Sequence, residues 1–141
     1  EIIIWDKLNA EPSIGQGVLN SRWEAILIFS KDSSISRSFK NVNFSKGTLE
    51  NIWQIKRQRS TIKGHGAVFP EQLVEKIIEN FSNKKDWILD PFMGTGTTAV
   101  VSKRLNRNCI GIELIKDYYQ HSIARVKEVK YENMSNRNKA V

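Results

Sequence analysis

The stretch that decides the fold is residues 87–98, which read WILDPFMGTGTT. Its apolar start predicts a buried strand that ends at Asp90. The two glycines that follow, Gly94 and Gly96, let a backbone turn sharply and approach a ligand where a Cβ would clash. The two threonines after them begin a helix, whose N–H groups and hydroxyls can hold a carboxylate or phosphate. The stretch therefore predicts a strand, an anion-binding turn and a helix.

The segments on both sides of this stretch extend it into an α/β fold. Pro70 is well placed to begin a helix, and apolar residues at helical spacing follow it. After the turn, the pattern predicts a helix over 97–105, a strand over 109–112 and a helix from about Lys116. This order of elements builds parallel sheets. Further strands are predicted from three apolar runs upstream, at residues 1–5, 25–29 and 52–55.

Positive charge is concentrated in the middle of the chain. The formal net charge is +7 over 141 residues, and residues 31–63 hold eight basic and two acidic side chains. A polyanion selects such a segment, because each neutralised phosphate releases counterions. The length suits one domain. We divide it into sheet strands in 1–30, a basic segment in 31–63, a ligand-binding β-α-β region in 64–132 and a polar tail in 133–141.

Composition excludes several classes of protein. No apolar stretch approaches the roughly 18 residues that span a membrane, so a soluble protein without a membrane partner is expected. The single cysteine, Cys109, cannot build a disulfide framework or a cysteine-based metal site within the chain, and no metal is expected. A reducing, cytoplasmic setting fits this usage. Three residues in apolar runs are expected in the core: Trp53, Trp87 and Cys109.

The glycine turn leaves two ligand classes open. A Walker-type phosphate loop is excluded, because no lysine follows the second glycine. The spacing from Gly94 through Gly96 to Ala99 does satisfy the dinucleotide pattern, and Glu113 closes the next strand where such a fold places its ribose-binding acid. A nicotinamide or flavin oxidoreductase is therefore one hypothesis.

Residues 90–92 favour a different ligand. A dinucleotide turn runs from the strand almost directly into glycine, whereas Asp-Pro-Phe intervenes here and puts a carboxylate at the strand end. That carboxylate suits a cationic amino group better than a pyrophosphate. An amino acid joined to adenosine fits this arrangement. Asp90 would face its ammonium group, the turn with Thr97 and Thr98 would hold its carboxylate, and Glu113 would bridge its ribose hydroxyls.

These residues also resemble a known family. The sequence DPFMGTGTT, from Asp90 to Thr98, is similar to the cofactor motif of bacterial DNA methyltransferases that modify an exocyclic amino group, adenine N6 or cytosine N4. The sequence HGAVFP at residues 65–70 resembles the segment just upstream in that family, which lines the other side of the cofactor. WDK from Trp5 and RWE from Arg22 resemble its region between the catalytic motif and the target-recognition segment.

The resemblance implies S-adenosylmethionine as the cofactor. The cofactor-binding residues that it implies are His65, Phe69, Asp90, Pro91, Phe92, Gly94, Gly96, Thr97, Thr98 and Glu113. It also implies double-stranded DNA as the substrate, within a restriction-modification system, and phosphate contacts from the basic segment. The DNA-binding residues expected there are Lys56, Arg57, Arg59 and Lys63.

The order of the motifs resembles the beta class, in which the catalytic motif precedes the segment that begins this chain. That motif is Asp, Ser or Asn followed by two prolines and an aromatic residue. Residues 1–141 contain no adjacent prolines, only Pro12, Pro70 and Pro91. The resemblance therefore implies a partial S-adenosylmethionine-dependent methyltransferase (Rossmann-like) fold, with a mixed sheet that lacks the strand carrying the catalytic motif.

In that family the missing strand lies between the strand at residues 87–90 and the strand at residues 2–5, so both are expected to have an unpaired edge. A complementary N-terminal polypeptide, an upstream part of the same protein or a second copy would fill the gap. Three functional classes stay open: part of a methyltransferase, a nicotinamide-dependent oxidoreductase, and a basic nucleic-acid-binding module that keeps the fold without the activity.

Overall fold

A computed structural model describes residues 1–9, 15–31, 39, 42–58 and 68–129. They belong to two compact units, Glu1–Pro70 and Glu71–Val141. Several sequence predictions fall outside the described residues, namely those for Arg59, Lys63, His65 and the tail at 133–141.

The first unit contains a three-stranded mixed sheet. Its strands are β1 (Ile2–Asp6), β2 (Trp23–Leu27) and β3 (Ile52–Gln54), in the order β2-β1-β3. β2 runs antiparallel to β1, and β3 runs parallel to it. All three strands were predicted from apolar runs. β2, however, begins and ends two residues before the predicted 25–29, because its antiparallel ladder is limited by the length of β1, whose first residue lies opposite Leu27.

Both edges of β1 are occupied, and this corrects one expectation. β2 pairs with β1 along its whole length, while β3 pairs with Ile4–Asp6 on the other edge. Two backbone bonds extend that contact, since Ile4 N–H donates to Asn51 C=O at 2.8 Å and Ile55 N–H donates to Asp6 C=O at 3.1 Å. The prediction that this strand has a fully unpaired edge was therefore wrong, because β3 pairs with Ile4–Asp6 on that edge.

Alternate residues of these strands form the buried side of the first sheet. Ile3, Trp5 and Trp53 are buried, and so is Ile55, the residue directly after β3, as period-two alternation along an extended chain requires. The Trp5 Nε1–H donates to the backbone oxygen of Ile55 at 2.7 Å, so the indole is buried without an unsatisfied donor. Trp53 was predicted in the core, and this is confirmed.

Two ion pairs join the segments WDK and RWE that carry part of the family resemblance. Arg22 binds both carboxylate oxygens of Asp6, with Nε–Oδ1 at 2.8 Å and Nη2–Oδ2 at 2.9 Å. The hydrogen bond from Arg22, together with the Leu8 N–H, lowers the pKa of Asp6 to about 2. The buried Lys7 ammonium lies 3.1 Å from Oε1 of Glu24. These cross-strand contacts give the two segments a structural role in fixing the β1–β2 register.

The second unit has the strand and helix order that the sequence predicts. Helix α1 spans Glu71–Phe81, β4 spans Trp87–Asp90, α2 spans Thr97–Arg104, β5 spans Asn108–Gly111 and α3 spans Lys116–Glu128. β4 and β5 are parallel, with Trp87 opposite Asn108 and Asp90 opposite Gly111. The core of this unit lies between the helices and one face of β4 and is formed by Val74, Ile78, Val101 and Leu105, with Ile88 packed against them.

The opposite face of the β4–β5 sheet is exposed. Trp87 is 68% exposed, and Leu89 and Ile110 are also exposed. The expectation that Trp87 lies in the core was wrong, because α1 and α2 pack on the face that holds Ile88 and leave the alternate residues of β4 uncovered. None of the described helices combines the length and apolarity needed to cross a membrane.

Candidate functional site

The two predicted acidic residues lie at the same edge of the β4–β5 sheet. Asp90 is the last residue of β4 and pairs with Gly111, the last residue of β5. Glu113 follows β5 by two residues, so both carboxylates lie at the carboxyl ends of parallel strands. Ligands in open α/β sheets bind outside this edge. The described part of the chain has no group of three or more His, Cys, Asp or Glu side chains suited to a metal ion.

The Glu113 carboxylate holds the glycine turn in place. Its Oε2 accepts a hydrogen bond from Gly94 N–H at 2.7 Å, and its Oε1 accepts one from Ile115 N–H at 2.7 Å. Glu113 therefore ties the turn after β4 to the loop after β5. A carboxylate offers about four lone-pair directions, so it can accept further hydrogen bonds from hydroxyl groups of a ligand.

Asp90 begins the turn with a local hydrogen bond. Its Oδ1 accepts the N–H of Phe92 at 3.0 Å, an Asx-type contact that turns the chain outward at the end of β4. Asp90 is half-buried, Pro91 is exposed and the Phe92 ring is 89% exposed. Met93 N–H then donates to Ile112 C=O at 2.9 Å, which fixes the turn against the chain that follows β5.

The two glycines have different neighbours. Both adopt positive φ, 55° at Gly94 and 83° at Gly96, so the predicted sharp turn is confirmed. A Cβ added at Gly96 would lie 2.6 Å from the Cβ of Ser122 in α3, a buried residue. The close approach at Gly96 is therefore to α3. A larger residue there would disturb helix packing whether or not a ligand is bound, which makes Gly96 a poor probe of ligand binding.

The start of α2 is partly buried. Gly96 caps the helix without a side-chain hydrogen bond, and its carbonyl accepts the first helical bond from Val100 N–H at 2.9 Å. The N–H groups in the first turn of an α-helix have no acceptor within the helix, so those of α2 can donate hydrogen bonds to other groups. Thr97 is buried and its Oγ1 lies 3.4 Å from Arg125 Nη1, while Thr98 is half-buried.

The structure adds two residues that no sequence motif indicated, Arg125 and Glu71. Arg125 donates to the carbonyl oxygen of Thr95, between the two glycines, at 2.8 Å. It also donates to Oε1 of Glu71 at 2.8 Å. The pair is 54 residues apart in sequence, so no local pattern links them. Helical spacing puts Arg125 on the same side of α3 as Ser122, but the sequence does not show that this side of the helix faces the glycine turn.

The remaining predicted residues lie in the first unit or away from the turn. Phe69 is 59% exposed, and its ring centroid is 6.3 Å from that of Trp5. Lys56 is exposed and Arg57 is half-buried. Cys109 is half-buried in β5, and burial raises the pKa of its thiol. That thiol is therefore mostly protonated at neutral pH and is not an activated nucleophile.

A family model and a curated relative match this chain. The family model for N6/N4 methylases, described as DNA methylase, matches residues 1–125 of this chain. The type II methyltransferase M2.DpnII of Streptococcus pneumoniae is 34% identical over 142 aligned residues, which cover 95% of this chain and 52% of the relative. The chain thus spans about half the length of that protein.

Solved structures agree with this match. The M1.HpyAVI–SAM complex has a TM-score of 0.69 and 30% identity, and the match covers 89% of this chain and 61% of that one. A Thermus thermophilus protein solved in complex with S-adenosyl-L-methionine has a TM-score of 0.65 and 28% identity, and the match covers 91% of this chain and 53% of that one. The fold is that of S-adenosylmethionine-dependent DNA methyltransferases, which decides against the oxidoreductase hypothesis. The chain belongs to the N6/N4 DNA methylase family.

Proposed function

We propose that this chain is the S-adenosylmethionine-binding part of a site-specific DNA methyltransferase that methylates an exocyclic amino group, adenine N6 or cytosine N4, in a restriction-modification system. The observation that carries the proposal is the pair of carboxylates, Asp90 and Glu113, on either side of a glycine turn at the carboxyl edge of a parallel sheet. With such a DNA substrate, we expect the protein to act in the cytoplasm.

The chemistry of this edge fits the cofactor. An ammonium group requires a carboxylate, ribose hydroxyls require an acceptor, and a carboxylate requires N–H donors. We assign these roles to Asp90, Glu113 and the first turn of α2, which begins with Thr97 and Thr98. When bound, the cofactor supplies an electrophilic methyl group. The chain's own residues bind and orient it.

The other proposed cofactor residues complete the site. We assign close backbone contact to Gly94 and the walls of the site to Pro91 and Phe92, whose exposed ring is available for stacking on an adenine. Gly96 belongs to the turn through its contact with Ser122. His65 and Phe69 remain proposed cofactor-binding residues on the strength of the family resemblance alone.

Titration of the chain with S-adenosylmethionine and, separately, with NAD tests this assignment. We expect saturable calorimetric binding of S-adenosylmethionine and no binding of NAD at the same concentration, because the Asp90 carboxylate attracts an ammonium group and repels a pyrophosphate. Binding of NAD alone would contradict the proposal. Binding of neither, even with the upstream region supplied, would favour a basic binding module that keeps the fold without the activity.

We also propose that the basic segment contacts the DNA backbone, through Lys56, Arg57, Arg59 and Lys63. The support is the concentration of positive charge in residues 31–63 and the exposure of Lys56. Such contacts position a protein on DNA without reading its sequence.

Charge reversal of Lys56, Arg57 and Arg59 together is expected to weaken DNA binding and flatten its salt dependence. The slope of log affinity against log salt should fall by about 0.9 for each lost phosphate contact. Fluorescence anisotropy at several salt concentrations measures it. The matched control reverses the charges of three exposed lysines of the second unit, Lys84, Lys116 and Lys127. An equal fall in slope for both triple variants would assign the effect to net charge and remove these residues from the interface.

A complementary polypeptide is the third part of the proposal. Among the described residues, β4 pairs with a strand on one side only, β5. The other edge of β4 is therefore available to a further strand, and an unpaired edge favours such addition. We propose that this strand carries the Pro-Pro-aromatic motif and comes from an upstream part of the same protein, a separate chain or a second copy.

A further inference from the structure

A charged network lies behind the glycine turn, on the side of α3. The guanidinium of Arg125 donates through Nη1 to the carbonyl oxygen of Thr95 and through Nη2 to Oε1 of Glu71, each at 2.8 Å. Glu71 is in the first turn of α1 and Arg125 is near the end of α3. One planar side chain therefore links two helices to the backbone of the turn.

Glu71 is also held by a side chain of a third helix, α2. Its second oxygen, Oε2, accepts a hydrogen bond from Nη1 of Arg104 at 2.8 Å, and Nη2 of Arg104 lies 3.6 Å from Oε2 of Glu75. The side chains of Arg125, Glu71 and Arg104 are 24%, 28% and 21% exposed. Partly buried, two-sided contacts of this kind hold a carboxylate in one orientation better than an isolated surface pair does.

The bonded carbonyl lies between the two glycines of the turn. Thr95 stands between Gly94 and Gly96, which both have positive φ, and glycines lose more conformational entropy on ordering than other residues do. Glu113 fixes this turn from the side of β5, through Gly94 N–H. Arg125 fixes it from the side of α3, so the turn is held between two opposite anchors.

We infer that Arg125, oriented by Glu71, is a positioning residue that holds the Gly94–Gly96 turn in the geometry that receives the cofactor. The inference rests on the proposed function, because that function makes this turn the binding site. A turn that must be ordered during binding lowers affinity, and a turn ordered beforehand does not. The bond to Thr95 adds to the order that Glu113 supplies through Gly94 N–H.

Arg107 provides a matched control within the same unit. Its guanidinium also binds backbone carbonyls, those of Ser82 at 2.7 Å and Leu105 at 2.8 Å. These bonds lie at the amino-terminal end of β5, whereas the glycine turn is at the carboxyl end of the sheet. Arg107→Gln therefore removes similar structural bonds without removing a contact to the turn.

The experiment compares Arg125→Gln, Glu71→Gln and Arg107→Gln in the full chain with two measurements. Calorimetry with S-adenosylmethionine is expected to show an affinity about tenfold lower for Arg125→Gln, a smaller loss for Glu71→Gln and no change for Arg107→Gln. Amide hydrogen exchange without ligand should be faster at Gly94 and Gly96 in the first two variants only. Arg125→Lys, which keeps the charge, should recover part of the affinity.

Two results would overturn the inference: unchanged exchange at Gly94 and Gly96 in folded Arg125→Gln, or an equal loss of affinity in Arg107→Gln and Arg125→Gln at similar thermal stability. If Arg125→Gln does not fold, the affinity and the amide exchange rates of the milder variant Glu71→Gln test the inference, by the same criteria. If the parent chain does not bind S-adenosylmethionine, the proposed function fails, while the exchange rates still show whether Arg125 orders the turn.

Discussion

Glu113→Ala is expected to lower the affinity of the chain for S-adenosylmethionine by about a hundredfold or more. The substitution removes the acceptor of Gly94 N–H and Ile115 N–H, so the turn loses its anchor to β5. It also removes the proposed partner of the ribose hydroxyls. A hydrogen bond to a charged group contributes roughly 1.5–3 kcal/mol, and the loss of two corresponds to a factor of about a hundred or greater.

Two further variants separate these contributions. Glu113→Gln keeps the shape of the side chain but places an NH₂ group near backbone N–H donors, so we expect an intermediate loss of affinity. Asp117→Ala removes an exposed carboxylate four residues further on, in the first turn of α3, and should leave the affinity nearly unchanged. Calorimetry with each folded variant gives the comparison. An affinity for Glu113→Ala within twofold of the parent value would remove Glu113 from the site.

The second unit could be predicted almost completely from its sequence, because its signals are local. The apolar run before Asp90 predicted β4, and the apolar positions after Pro70 predicted α1. The predicted bounds of the elements in this unit differ from the structure by one residue in most cases. Glu113 could be placed near the turn from chain order alone, since the ends of neighbouring parallel strands meet at one edge of the sheet.

Features that depend on distant partners could not be predicted in this way. Trp87 has the composition of a core residue, but its exposure depends on which face of a two-stranded sheet the helices cover. The glycine spacing in residues 94–96 indicated that Gly96 must lack a side chain. It did not show that the group in close contact with Gly96 is Ser122. The pairing of β3 with β1 joins segments about fifty residues apart and could not be read from the apolar runs. Arg125 and Glu71 are likewise joined only by the fold.

The chain alone is not expected to transfer methyl groups to DNA. Residues 1–141 contain no pair of adjacent prolines, and we propose that the motif with two prolines and an aromatic residue, which the family resemblance implies upstream, holds the flipped base by hydrogen bonds and stacking. Without that loop, the bound methyl group has no positioned amino group to attack it. Radiolabelled methyl transfer to DNA should therefore stay at background for the isolated chain.

Adding a polypeptide that carries the upstream region is expected to restore transfer to at least roughly a hundredfold above background, the scale at which one positioned catalytic group matters. Its strand would pair with the available edge of β4 and bring the motif to the carboxyl edge of the sheet, beside Asp90. The control is the same polypeptide with the motif's aromatic residue changed to alanine, which should associate with the chain but not restore transfer. Full activity from residues 1–141 as an isolated monomer would show that the catalytic groups lie within this chain and that no complementary segment is required.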